Sequence, residues 1–222
     1  MRVADLTDSR AATDALLKLL KRGRWTPRAV AHFLWSSGDR SVRQAARRPQ
    51  ALVQITALHG VLAGLARKRR PGPRWVAASW ALSVLHLGLL EERDRISAAD
   101  ALTLARGNLP ATALGSTRWV GVAAIALDVA DGRLARHQHT ASPFGDYADS
   151  FADAAFWTWL TLRHEPSRAV RAAAITAWAL PIATVTAIGI PRGTMPERPR
   201  PTLLRPAAAM QAIVAMRRLL RH

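Results

Sequence analysis

Residues 128–153 read DVADGRLARHQHTASPFGDYADSFAD and hold a third of the acidic residues of the whole chain. Asp128 and Asp131 are three positions apart, and Asp149 and Asp153 are four apart, so each pair shares one face of a helix. Proline and glycine lie between the pairs and indicate a turn. The stretch therefore predicts two helices joined by a loop, with four carboxylates on adjacent faces.

Such a group of carboxylates indicates a cation site. Clustered negative charge beside apolar segments is costly unless something neutralises it. Hard divalent cations such as Mg²⁺ and Mn²⁺ prefer carboxylate oxygens, and two of them can clamp the reacting oxygens of a phosphoryl transfer. Arg133 and Arg136, which follow Gly132, could offer positive charge to a diphosphate. A solvated acidic helix face, paired with the excess of basic residues, is the alternative.

The surrounding sequence favours an all-α fold. Alternating β-branched or aromatic runs, typical of strands, do not occur, and Ala and Leu dominate. Residues 172–190 form an uncharged run of nineteen positions, interrupted by Pro181, which is the best candidate for a membrane span. We therefore predict a multi-pass transmembrane helical bundle. A soluble bundle with apolar buried helices is the alternative.

The first half of the chain predicts an N-terminal amphipathic helical extension over residues 11–35, followed by a polar, basic segment. Residues 51–66 and 75–90 are apolar, but each is shorter than the ~20 residues that a perpendicular spanning helix needs. We expect these two helices to lie along the cytoplasmic interface or to form a re-entrant pair. A basic segment, 67–74, separates them, and a charged linker, 91–100, follows them.

Three regions are predicted from these boundaries. They are a cytoplasmic or interfacial helical segment (1–50), two short apolar helices with a charged linker (51–98), and a membrane domain (99–222).

The amino-acid composition of the chain excludes several classes of protein. The 222 residues carry a formal charge of +17, yet half of them are hydrophobic, which excludes a disordered basic tail. The absence of cysteine excludes disulfides and thiolate metal sites. The charge fits a nucleic-acid-binding helical protein or a protein at an anionic membrane. Because the basic residues collect in loops and helix ends beside apolar segments, we favour the membrane and expect no nucleic-acid partner.

The carboxylate stretch resembles the signature of the CDP-alcohol phosphatidyltransferase family. Written as a pattern, it is D-x2-D-G-x2-A-R-x8-G-x3-D-x3-D, and all eight specified positions match without a spacing error. Residues 102–106, LTLAR, are similar to the start of the first core helix of the family. The matching positions are Asp128, Asp131, Gly132, Ala135, Arg136, Gly145, Asp149 and Asp153.

The resemblance implies a phospholipid-synthesis enzyme in the cell membrane, multi-pass, with its polar site at the cytoplasmic edge. Such an enzyme moves a phosphatidyl or similar group from a CDP-activated donor, such as CDP-diacylglycerol, to a small hydroxyl acceptor and releases CMP. Its expected partners are the CDP-linked lipid donor, the acceptor, membrane lipids and a second copy in a homodimer. Its expected cofactors are two divalent cations, Mg²⁺ or Mn²⁺.

The resemblance also assigns roles to residues. Arg106 could bind a phosphate of the acceptor, or its side chain could extend to lipid headgroups. Asp153 would also serve as the general base. The metal ligands would be Asp128, Asp131, Asp149 and Asp153, and the residues that border the CDP group would be Gly132, Ala135, Arg136 and Gly145.

The chain departs from the family in ways that keep a second interpretation open. Arg106 and Asp128 are only 22 positions apart, which predicts an unusually short first helical hairpin. Ala154 follows Asp153, where several members that accept a phosphorylated alcohol carry Lys or Arg. A catalytically silent, family-like membrane protein is therefore the alternative to an active enzyme.

Overall fold

The computed structural model describes residues 6–66, 72–197 and 199–221, and these residues form α-helices and short 3-10 helices without a strand. The all-α prediction is confirmed for this part of the chain. Most of the predicted basic segment 67–74 lies outside the described residues. The helices are α1 Ser9–Arg22, α2 Pro27–Ala46, α3 Pro49–Leu65, α4 Gly72–Leu85, α5 Ala98–Gly107, α6 Val120–His137, α7 Pro143–His164, α8 Arg168–Arg192 and α9 Pro201–Leu220.

The prediction of one amphipathic helix over residues 11–35 is wrong, because two helices, α1 and α2, occupy this region. The chain turns between them at Arg24 and Trp25, which have positive φ angles of 48° and 58°. The Thr26 side chain then accepts a hydrogen bond from Ala29 N–H, and Pro27 occupies the first turn. These two residues start a new helix, which continues through the segment that we predicted as merely polar and basic.

Three further boundaries differ from what the sequence alone predicts. The apolar residues 207–216 alone predict a short last helix, whereas the last helix in the structure covers Pro201–Leu220. It begins with a proline, which is compatible with the first helical turn, and it continues through Pro206. The charged linker ends before residue 100, because Ser97 caps the start of α5. The sequence also predicts a helix that begins near Gly145, and in the structure this helix, α7, begins two residues earlier at Pro143.

Helix α9 packs against α6, α7 and α8, and the short helix α5 packs against both α6 and α7. The approach of α5 to α7 is close at Gly107, where a Cβ atom would lie 3.1 Å from that of Ala152. Phe156 and Leu160 of α7 are buried in a core that they share with Val120 of α6 and Val214 of α9. This core holds α6 and α7 at fixed positions beside α5.

Hydrogen bonds at each end of the bundle establish the helix directions. Lys21 of α1 donates to the Arg192 carbonyl at the end of α8, over 3.1 Å. Arg217 and Arg221, near the end of α9, both donate to Glu165, which follows α7. We call the first end, where α7 begins and α8 ends, the aspartate end, and the second the far end.

The Glu165 contacts at the far end predict a pH-dependent stability. The hydrogen bonds from Arg217 lower the pKa of Glu165 to about 2, against the effect of burial and with the help of Ser167 N–H and Arg221. A depressed pKa stabilises the fold fully above the ordinary value of 4.5, and this stabilisation is lost as the pH falls through about 2. We expect Glu165→Gln to lower the melting temperature at pH 7 by about 2–4 °C.

Thermal unfolding of the detergent-solubilised protein at pH 7 and pH 3 measures this effect. The difference in melting temperature between wild type and Glu165→Gln should narrow at pH 3. This pH lies between the two pKa values, so Glu165 is mostly protonated in the unfolded chain and mostly ionised in the folded protein. Glu92→Gln, at an exposed position, serves as the matched control and should change little at either pH. A difference that is equal at both pH values would contradict the prediction.

Helices α3 and α4 pack against each other and join the bundle through buried polar groups. Asn108, directly after α5, donates to Ser79 Oγ of α4 over 2.9 Å, and Ser79 Oγ lies 3.0 Å from Nε2 of His59 in α3. Trp75 Nε1 donates to the Gly107 carbonyl over 2.8 Å. Because buried polar groups need partners, these bonds fix the position of the helix pair relative to α5.

Among the described residues, one helix is long and apolar enough to cross a membrane by length and composition. This helix is α8, and only 11% of its most apolar stretch is buried inside the protein. Helices α6 and α7 carry the aspartates and α9 carries several arginines, which lowers their hydropathy. The predicted multi-pass arrangement is therefore not confirmed by helix composition.

Candidate active site

The start of α5 is fixed by a reciprocal pair of hydrogen bonds. Ser97 Oγ accepts from Asp100 N–H over 3.0 Å, and Asp100 Oδ2 accepts from Ser97 N–H over 2.7 Å. This capping box begins the helix at a defined residue. It places Asp100, Thr103 and Arg106 at intervals of three, and hence on the face of α5 that looks towards α6 and α7.

Helices α6 and α7 supply the four predicted aspartates. Asp128 and Asp131 lie on α6, and Asp149 and Asp153 lie on α7, whose start is capped by the Ser142 side chain. Carboxylate oxygens of Asp128, Asp131 and Asp149 all lie within 4.8 Å of one another. The structure therefore brings together three of the four carboxylates that the spacing predicted to lie on adjacent helix faces.

Arg106 lies among all four carboxylates. Its guanidinium donates to Asp149 and Asp153 of α7. On the α6 side, Nη2 lies 3.2 Å from Asp128 Oδ1 and Nε lies 3.7 Å from Asp131 Oδ2. The Arg106 side chain is only 1% exposed.

This position bears on the predicted contact between Arg106 and an acceptor phosphate. The guanidinium has no edge that faces solvent. A phosphate could therefore contact it only after the Arg106 side chain had moved away from the carboxylates. The phosphate-binding role stays a prediction. In the structure, the guanidinium balances part of the negative charge of the cluster, as buried charges require.

Thr103 is a site residue that the sequence reasoning missed. Its hydroxyl lies 2.7 Å from Asp131 Oδ2 and 3.0 Å from the Ala99 carbonyl oxygen. Asp131 is the most buried of the four aspartates, with a side chain 7% exposed. The hydroxyl therefore fixes one oxygen of this carboxylate. The sequence signal that could have found Thr103 is its spacing of three from Arg106, which places both residues on one face of a helix.

A cavity of about 580 Å³ opens beside the carboxylates. Asp128, Asp131 and Asp149 line it, whereas Asp153 lies outside its lining. The four residues predicted to border the CDP group also line it, namely Gly132, Ala135, Arg136 and Gly145.

The two glycines of this set have different surroundings. A Cβ atom on Gly132 would meet only the Arg136 guanidinium, at 3.4 Å, so this glycine leaves room for a ligand near the backbone. A Cβ atom on Gly145 would lie 2.8 Å from Asp100 Oδ1, so this glycine permits the close approach of α7 to α5.

Arg93 contacts two residues that line this cavity, Thr140 and Asp100, and was not predicted either. It donates to the Thr140 carbonyl over 3.0 Å and lies 3.5 Å from Asp100 Oδ2, so it ties the linker before α5 to the loop between α6 and α7. The Thr140 side chain lines the cavity, and its buried hydroxyl has no partner in the described part of the chain.

The donor set suits a hard divalent cation. Mg²⁺ and Mn²⁺ take carboxylate oxygens at short distances, so oxygens that already lie within 4.8 Å of one another need only a small contraction. Three of the predicted ligands, Asp128, Asp131 and Asp149, meet this condition. Asp153, the fourth predicted ligand, is outside this group of three, and its Oδ1 accepts from Arg106, as Asp149 Oδ1 also does.

The comparisons with known proteins agree with this geometry. The family model for CDP-alcohol phosphatidyltransferase matches residues 97–217, more than half of the chain. The match begins at the residue that caps α5 and extends almost to the end of α9. No curated protein and no solved structure matches the chain significantly.

Proposed function

Because the chain belongs to the CDP-alcohol phosphatidyltransferase family, we propose that it transfers a phosphatidyl or similar phosphoalcohol group from a CDP-linked lipid donor to a small hydroxyl acceptor. The family domain implies a CDP-alcohol phosphotransferase activity. CDP-diacylglycerol is the donor that we propose, and CMP is the second product. The reaction would serve phospholipid biosynthesis.

The observation that carries the proposal is the meeting of three carboxylates at one side of the 580 Å³ cavity. These side chains, Asp128, Asp131 and Asp149, would hold the divalent cations, with Asp153 as the fourth ligand. When bound, the cations supply positive charge that stabilises the diphosphate and the leaving CMP. The rest of the cavity offers Arg136 and the open backbone at Gly132 to the CDP group.

The chemistry that we propose begins with Asp153. Its carboxylate accepts the proton of the acceptor hydroxyl, and the resulting oxygen attacks the lipid-side phosphorus of the donor. A bond forms between this oxygen and the phosphorus, while the bond from the phosphorus to the bridging oxygen breaks, so CMP leaves with the bridging oxygen. Alignment of the acceptor with this phosphorus lowers the barrier, since the reacting groups are already positioned.

Arg106 takes part in this scheme as a positioning residue. Its contact with Asp153 Oδ1 holds the carboxylate at the junction of α5 and α7. The carboxylate remains one third exposed, so a hydroxyl group can approach it from the open side. Thr103 holds Asp131 in the same way, on the α6 side.

A CMP-release assay tests the proposed function. Purified protein with CDP-diacylglycerol, Mg²⁺ or Mn²⁺ and a panel of small alcohols should release CMP, and EDTA should abolish the release. Addition of excess Mg²⁺ after EDTA should restore it. Release that continues unchanged in EDTA, or no release with any member of the panel, would contradict the proposal.

The second candidate is a catalytically silent member of the family. The position of Arg106 favours it, because the guanidinium already neutralises part of the carboxylate charge. A silent protein of this kind would bind Mg²⁺ without releasing CMP. Metal-dependent thermal stabilisation, measured beside the CMP assay, separates this outcome from an active enzyme.

We also propose how the chain is placed in the cell. The family is membrane-bound, and we propose a multi-pass arrangement in the cell membrane with the aspartate end facing the cytoplasm. The basic residues of α1 at this end, such as Lys18, Lys21 and Arg22, support this orientation, because cytoplasmic segments are enriched in positive charge. The three regions 1–50, 51–98 and 99–222 and the homodimer remain proposals of the same kind.

A further inference from the structure

Helix α2 has the polarity of its faces reversed relative to a helix of a soluble protein. Its buried side chains include Arg40 and Gln44, which are 9% and 1% exposed. Its exposed side chains include Leu34, Trp35 and Val42, which are 61%, 78% and 68% exposed. Soluble proteins bury apolar side chains and expose charged ones, so the outer face of α2 is not built to face water.

The exposed apolar residues form a continuous stripe. Ala31, Leu34, Trp35, Gly38 and Val42 are all exposed and follow the spacing i, i+3, i+4, i+7 and i+11, which places them on one face of a helix. We call this set the outer stripe of α2. Helix α1 differs, since it buries Leu16, Leu17 and Leu20 in the ordinary way.

The charges around the outer stripe suit an anionic surface. Arg24 and Arg28 lie exposed at the start of α2. The acidic residue of this helix, Asp39, is paired with Arg43 over 2.9 Å. Arginines beside an exposed Trp and Leu stripe are typical of helices that lie in the headgroup layer of anionic lipids.

The position of α2 in the fold matches that layer. Helix α1, which packs against α2, is bonded to the end of α8 through Lys21 and Arg192, and α8 is the helix suited to cross a membrane. Met195 N–H also donates to Asp14 of α1, just after α8 ends. The helix pair is therefore tied to the point at which the spanning candidate would leave the lipid.

From these observations, we propose that α2 lies in the membrane interface and inserts its outer stripe among the acyl chains of an anionic leaflet. Helix α2 itself is too polar to span, because Arg40, Asp39 and Arg43 lie in its second half. The inference goes beyond the proposed activity and does not depend on catalysis. It assigns an anionic lipid surface as the partner of this face.

Fluorescent labelling of single cysteines tests the proposal in the full chain, which has no cysteine of its own. The variant Val42→Cys carries an environment-sensitive NBD label in nanodiscs of phosphatidylcholine and phosphatidylglycerol. The matched control is Ala11→Cys, at an exposed position of α1. We expect blue-shifted emission from position 42, with quenching by lipids spin-labelled on the acyl chain, and water-like emission with little quenching from position 11.

Several outcomes would overturn the proposal. Water-like, unquenched emission from position 42 would show that the stripe faces water. Disulfide crosslinking of unlabelled Val42→Cys between two chains, together with absent quenching, would assign the stripe to a second copy. Equal quenching without phosphatidylglycerol would overturn the anionic part of the assignment. CMP release is measured separately, so a failure of this proposal is distinguishable from a failure of the proposed function.

Discussion

Replacement of Asp153 by Asn is expected to lower the rate of CMP release by about 10²- to 10⁴-fold, the range that general acid–base catalysis contributes. The amide has nearly the shape of the carboxylate but cannot accept the proton of the acceptor hydroxyl. It also keeps an oxygen that Arg106 Nη1 can bond. The loss should therefore appear in the rate of the chemical step, with the fold retained.

The measurement is CMP release from CDP-diacylglycerol by the purified variant, with its melting temperature recorded in the same detergent. Asp39→Asn makes the same chemical change at the ion pair with Arg43 on α2, which does not line the cavity, and should leave the rate close to that of the wild type. Undiminished release by Asp153→Asn would refute the role of Asp153 as the base. A collapse of its melting temperature would instead assign Asp153 a structural role.

The helices that carry the aspartates could be predicted because their signals are local. The pairs at Asp128 and Asp131 and at Asp149 and Asp153 each lie within about one helical turn, and Pro143 marks the start of the second helix. Residue spacing of this kind reports directly on which side chains share a face. The structure agrees with these inferences to within a few residues.

The partners of these aspartates could not be predicted in the same way. Thr103 and Asp131 are 28 positions apart, and Arg93 and Thr140 are 47 apart, so their contacts depend on how α5 packs between α6 and α7. Spacing in the sequence carries no information about such packing. The same limit applies to Arg106. Its burial among four carboxylates depends on how α5, α6 and α7 pack against one another.

The prediction of a single helix over residues 11–35 was wrong for another reason. Leu and Lys alternate through α1, and apolar residues continue after it at Trp25, Phe33 and Trp35, so the helical pattern does not stop at the break between α1 and α2. The local signal for the break, Thr26 followed by Pro27, was present in the sequence. In α2, the large apolar side chains of Leu34, Trp35 and Val42 face outwards. The rule that apolar faces of helices are buried therefore predicts the wrong face of α2 as the inner one.

Replacement of Arg106 by Met is expected to destabilise the metal-free protein by about 3 kcal/mol, the lower end of the range for loss of one partner from a buried ion pair. The lower end applies because Asp128 and Asp149 are about half exposed, and water can solvate their charge. Asp131 is nearly buried, but its carboxylate keeps the contact with the Thr103 hydroxyl. Arg106→Lys keeps the charge but not the planar fork, so it should lose less stability.

Thermal unfolding in EDTA, and again with Mg²⁺ or Mn²⁺, measures both the loss and its reversal. If the carboxylates hold a divalent cation, the cation supplies the positive charge that Arg106→Met lacks, so this variant should gain more stability from Mg²⁺ than the wild type does. Arg168→Met, at the exposed start of α8, is the matched control and should show the wild-type response. Equal stability of Arg106→Met and wild type in EDTA would refute the role of Arg106 as the counter-charge. If neither protein were stabilised by Mg²⁺ or Mn²⁺, the cation site would be removed from the proposed mechanism. Arg106→Met has no guanidinium to compete with a cation, so Arg106 could not explain the missing response.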